Sequence, residues 1–162
     1  MLDCPNQLRK VVFAGNEYDD MFPMESGEKP WTNQDSDITN YPKFLKGGFF
    51  VQKPYKWSSM GTNISIVVSG KAIIYVAIEK DPVEATTGGY EISLPKAGWK
   101  NEVGEIEVTR NAGASIKLGQ IFSKTSRFNV EKTYVLPPIT TSNTILLIST
   151  VPICSGKYIA SI

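Results

Sequence analysis

The chain carries no histidine. That absence removes the commonest general base, the Ser–His and Cys–His nucleophile pairs, and the imidazole zinc sites. Carboxylates remain for acid–base work, and two of them suffice for a glycosidase. The candidates are Glu17 with Asp19 and Asp20, Asp35 with Asp37, and Glu79 with Asp81. Carboxylates on loops and strand ends are ordinarily solvated, so the chain is expected not to be an enzyme. The enzymatic alternative rests on Glu79 and Asp81. Asp19-Asp20 and Asp35-x-Asp37 also offer the oxygen ligands that a structural Ca²⁺ prefers, without EF-hand spacing. No other cofactor is expected. Two cysteines cannot build a four-sulfur zinc site, and Gly47-Gly48 and Gly88-Gly89 lack the spacing of a phosphate loop.

Aromatic residues are the better material for contacting a ligand. Tyr55 and Trp57 lie with Lys53 and Lys56 in a loop-like stretch, and Trp31 lies in a polar segment rich in Asp, Asn, Ser, Gly and Pro. Exposed rings offer flat apolar faces suited to sugar rings or to a protein hot spot. Trp31, Tyr55 and Trp57 are therefore the expected ligand-binding residues, with Trp31 expected to be the most exposed. Tyr75, Tyr90 and Trp99 are expected to pack, Trp99 as a plug beneath the Leu94-Pro95-x-x-Gly98-Trp99 turn.

Lys and Arg number 17 against 16 Asp and Glu, a net charge of +1, with no long run of like charge. A basic footprint for nucleic acid is missing, and two lysines beside Tyr55 and Trp57 do not make one. The apolar stretches are too short to span a bilayer, so no membrane insertion is expected. The first fifteen residues also lack the continuous apolar stretch of a secretory signal. Cys4 and Cys154 are read as two separate thiols. In an oxidising compartment they could pair instead, closing a loop of about 150 residues worth roughly 4–5 kcal/mol on the chain-entropy account. The sequon Asn63-Ile64-Ser65 has meaning only on a secretory route.

These residues need a scaffold, and from position 64 onward the pattern supplies one. Candidate strands recur about every ten residues between Gly, Pro, Asn and Ser, the spacing of an all-β antiparallel β-sandwich. Residues 63–68 and 72–79 read as a hairpin about Ser69-Gly70. The second of these is apolar on both faces and reads as a central strand. Further strands are expected at 90–94, 105–110, 115–122, 127–135, 144–151 and 157–162. Residues 8–13 and 48–52 add strands before them. Pro137-Pro138 and Pro152 mark strand ends. The whole chain, 1–162, reads as a single β-sandwich domain with a long irregular N-terminal segment at about 14–47, a length of loop expected to be functional or to wrap the sandwich.

Short motifs follow one another along the chain in a definite order. Tyr18 with Asp20, then Pro42, Leu45 and Gly47, then Ile74-Tyr75-Val76-Ala77 with Asp81 form the first part. Leu94-Pro95 with Trp99, Leu118-Gly119 and the apolar run from Leu146 to Val151 complete it. This order resembles an accessory β-sandwich domain of secreted carbohydrate-active proteins, and the resemblance implies a galactose-binding-like jelly roll, an ancillary non-catalytic role and an extracellular setting. The function expected is a non-catalytic binding module recognising carbohydrate through loop aromatics. The alternative is a structural or assembly subunit whose partner is another protein chain.

Overall fold

A computed structural model describes residues 7–13, 16–18, 20–32, 35–53, 64–79, 94–110, 113, 115–136 and 145–151. Eleven strands run through them: β1 (Gln7–Phe13), β2 (Asn16–Glu17), β3 (Met21–Pro23), β4 (Ser36–Asn40), β5 (Phe49–Val51), β6 (Ile64–Ile78), β7 (Lys100–Glu102), β8 (Ile106–Arg110), β9 (Ser115–Leu118), β10 (Gln120–Leu136) and β11 (Ile145–Ser149). A 3-10 turn at Lys43–Leu45 and one helical turn at residues 94–96 interrupt them. The strands form an eight-stranded and a three-stranded sheet, and every ladder between them is antiparallel. The all-β, two-sheet expectation holds.

β6 organises the larger sheet. Along one edge it pairs with β10 from Ile64↔Leu136 to Ile78↔Gln120. Along the other edge β1 takes its first half and β11 its second. The expected hairpin about Ser69-Gly70 does not form: the chain runs through as one strand, with Gly70 at φ +79 opposite a register shift between Phe128 and Glu131 of β10. A continuous partner on the opposite edge outweighs the local turn preference, and glycine absorbs the kink as part of a bulge. For the same reason the separate strands expected at 115–122 and 127–135 regroup. β9 ends at Leu118 in the small sheet and β10 starts at Gln120 in the large one, so the chain changes sheets at Gly119.

The segment expected to be irregular contains β2, β3, β4 and the 3-10 turn, and β4 forms an edge of the small sheet by pairing with β8. These pieces are two to five residues long, too short to display a period in sequence. The segment supplies β2 and β3 to the larger sheet and β4 to the smaller.

Alternation along β6 divides the core. Ile64, Ile66, Val68, Ile74, Val76 and Ile78 face one cluster with Leu8, Val11, Phe122 and Leu147. Tyr75 and Ala77 face a second cluster, which joins Ile38, Ile106, Val108, Ile116 and Leu118 of the small sheet to Phe50, Ile121, Leu146 and Ile148 of the large one. The second half of β6 is thus buried on both faces, as a central strand must be.

The Leu94–Trp99 turn has a definite geometry. Trp99 N–H donates to Leu94 O (2.9 Å) and Gly98 N–H to Pro95 O (3.1 Å), the paired bonds of a Schellman motif, with Gly98 at φ +89. Leu94 and Trp99 are both buried in the first cluster, the apolar contact that accompanies this cap. Lys124 Nζ lies 3.3 Å from Ala97 O and 3.4 Å from Gly98 O, where a cation suits the end of the turn. Trp99 is the core plug that its position implies. The strands expected at 157–162 and over most of 90–94, together with Cys4, Asn63, Tyr90 and Cys154, lie outside the described residues.

Candidate ligand-binding site

The ring expected to be most exposed is one of the most buried. Trp31 is 1% exposed and packs in the second cluster with Met24, Ile38, Leu45 and Phe50. Lys29 and Asp35 turn outward instead, where Lys29 Nζ meets Asp35 Oδ1 (2.6 Å) and Asp37 Oδ1 (3.2 Å). Backbone pairing then draws Trp31 inward. It forms an isolated parallel bridge with Lys53, Thr32 N–H donates to Lys53 O (3.1 Å), and Gln52 Nε2 donates to Lys29 O (2.9 Å). Lys53 is 1% exposed as well, and burial pushes its ammonium down to about 7. Tyr55 and Trp57 lie outside the described residues.

Asp35 and Asp37 share the Lys29 ammonium, whose pKa is raised chiefly by the hydrogen bond to Asp35, so a cation of the chain's own stands where Ca²⁺ would bind. Among the described residues no three metal-ligating side chains cluster. Asp20 is exposed, while Asp19 and Asp81 lie outside the described residues.

The structure brings other aromatic residues together. A pocket of about 250 Å³ is lined by Pro23, Met24, Glu25, Tyr41, Lys46, Phe49 and the backbone at Gly47-Gly48. Two elements build it. Pro23 pairs with Phe49 where β3 meets β5, and Met24 N–H donates to Gly48 O (2.8 Å). Opposite them, Pro42 leads into the 3-10 turn, which closes with Lys46 N–H to Lys43 O (3.0 Å) and Gly48 N–H to Leu45 O (3.0 Å). A Cβ on Gly48 would stand 3.0 Å from Ser149 O and 3.2 Å from Leu45 O, so only glycine lets the turn lie flat on β11. Tyr41 and Phe49 are half-buried, whereas Glu25 and Lys46 are exposed. Apolar walls with one acidic and one basic group can hold a small polyhydroxylated ligand, giving it faces to stack on and both an acceptor and a donor.

Tyr41 and Phe49 are not among the residues that aromatic type singled out, although an aromatic residue stands just outside each end of the Pro42-x-x-Leu45-x-Gly47 turn.

Among the described residues no helix is long and apolar enough to cross a membrane. A scan of the sequence against protein-family models finds no match, and neither do searches of curated proteins and of solved structures.

Proposed function

We propose that this protein is a non-catalytic binding module of the galactose-binding-like jelly-roll type, which takes a carbohydrate in the pocket between Tyr41 and Phe49. The observation that carries the reading is the pocket itself: two half-buried aromatic side chains with Glu25 and Lys46 beside them and the Gly47-Gly48 backbone in its lining. At about 250 Å³ it falls below the roughly 300–1,000 Å³ of drug-sized sites, which suits one sugar unit of a chain. The jelly-roll assignment is supported by a chain that passes between two antiparallel sheets at β4, β8 and Gly119. The non-catalytic assignment is supported by the missing histidine and by the engagement of Asp35 and Asp37 with Lys29. A glycan array probed with wild type and with Tyr41→Ala tests it. Retention of a set of related glycans by wild type, lost in the variant, is the expected result; no retention of any glycan sinks the ligand claim.

One observation favours the assembly reading. Val103, Val130 and Val135 are 93%, 70% and 59% exposed, and apolar side chains so placed are candidates for burial against another chain. Size measurement in solution decides: a strict monomer that captures no partner counts against it.

A further inference from the structure

One row of side chains crosses three strands of the larger sheet. Lys100 of β7 stands opposite Ser123 of β10, and Ser123 stands opposite Tyr75 of β6. Directly opposed residues, and residues two apart along a strand, share a face. Lys100, Glu102, Ser123 and Tyr75 therefore project on one side, that of the second core cluster, to which Tyr75 belongs. The 3-10 turn lies over part of this row. The Phe44 ring centroid is 5.6 Å from that of Tyr75, and Phe44 is 38% exposed. A Cβ on Gly104 would stand 2.7 Å from Pro42 Cγ and 3.6 Å from Phe44 Cε2, so glycine lets the chain just past Glu102 close against the turn.

Tyr75 is 6% exposed, and its hydroxyl has no hydrogen-bond partner among the described residues. It is not sealed in as the unsatisfied hydroxyl of Tyr134 is, so it reaches the surface. Burial and then the Glu102 carboxylate raise the pKa of the phenol, which keeps it protonated and able to donate. Ser123 Oγ donates to Glu102 Oε1 (2.9 Å), and Lys100 Nζ lies 3.7 Å from the same oxygen. Glu102 Oε2 is left without a partner among the described residues. A phenol donor thus stands near an anchored carboxylate acceptor, and neither satisfies the other. A ligand hydroxyl between them can accept from Tyr75 and donate to Glu102, which a group that only donates or only accepts cannot do.

We propose that Phe44, Tyr75, Glu102 and Lys100 form a second ligand site, which takes one saccharide unit through a vicinal diol. One hydroxyl bridges Tyr75 and Glu102, its neighbour accepts from Lys100, and the apolar face of the sugar ring lies on Phe44. The charges of Lys100 and Glu102 offset each other, which suits a neutral unit. None of these four residues lines the Tyr41–Phe49 pocket, and the inference stands whether or not that pocket holds a sugar.

The test is an amide NMR titration of the full chain with the methyl glycosides of glucose, galactose and mannose, and with cis-cyclohexane-1,2-diol and cyclohexanol as ring controls. Saturable shifts at residues 44, 75, 100–102 and 123 are expected with at least one glycoside, and the diol should bind there more tightly than cyclohexanol. Shifts at residues 41 and 46–49 read the other pocket separately. Tyr75→Phe removes a hydroxyl that makes no hydrogen bond to the described residues, so the melting temperature should stay within about 2 °C while glycoside affinity at these residues falls about fivefold. Phe44→Ala should weaken binding by a similar factor, and Tyr75→Phe decides alone if that variant fails to fold. Absence of saturable shifts at these residues, equal affinity for the diol and cyclohexanol, or wild-type affinity in folded Tyr75→Phe overturns the proposal. A larger fall in the melting temperature of Tyr75→Phe also overturns it, by showing the hydroxyl already engaged within the fold.

Discussion

Trp31 and Tyr41 stand ten positions apart in one polar segment and differ in burial. Trp31 fills the second core cluster, so Trp31→Ala should cost about 3–5 kcal/mol of stability, as large-to-small core changes do. Tyr41 is only partly covered, and Tyr41→Ala should lower the melting temperature by no more than about 2–4 °C while abolishing glycan retention. Thermal unfolding of both variants, run beside the glycan array, separates the roles. Residue type indicated that aromatics mattered, but not which of them faced outward. That choice is made by backbone pairing between Trp31 and Lys53, a long-range contact that no local pattern announces.

Lys53 allows a second test at the same scale. Its folded pKa of about 7 lies below the ordinary lysine value of 10.5 because burial penalises the ammonium. Between those values the unfolded chain binds the proton and the native chain does not, so stability should rise with pH by up to about 1.4 kcal/mol per unit. It should level off below about 7, where both states are protonated. Urea midpoints at pH 7.5, 8.5 and 9.5 should climb for wild type, and this component should vanish in Lys53→Met. Parallel curves for the two proteins would refute the linkage.

At the scale of elements, the turn ending at Trp99 and the strand β6 show what was legible. The Leu-Pro-x-x-Gly-Trp pattern is a local instruction: proline opens the turn, Gly98 supplies the positive φ, and Leu94 and Trp99 meet in the core. Gly98→Ala places a Cβ 2.7 Å from Lys124 Nζ in a conformation that costs an L-residue about 1–2 kcal/mol, and equilibrium denaturation should read a loss of that size. β6 was legible in composition but not in extent. Ser69-Gly70 satisfies every local criterion for a two-residue turn, and only the still longer β10, some fifty residues further along the chain, turns it into a bulge. The short strands β3 and β4 were invisible for a related reason, since their identity comes from partners β5 and β8.

For the whole molecule, two antiparallel sheets around a doubly buried central strand make the frame, and the candidate site lies where its strands run out. The Tyr41–Phe49 pocket sits where β3 and β5 meet the 3-10 turn. The alternation that indicates a sandwich depends on the core alone. A binding site depends on where strands end, and strand ends are the part of the pattern that sequence records least well. Calorimetric titration of the best glycan from the array into wild type, Tyr41→Ala and Phe49→Ala decides whether the Tyr41–Phe49 pocket holds the sugar. Saturable binding by wild type, weakened at least about tenfold in both folded variants, is expected; wild-type affinity in a folded Tyr41→Ala or Phe49→Ala protein would overturn the assignment.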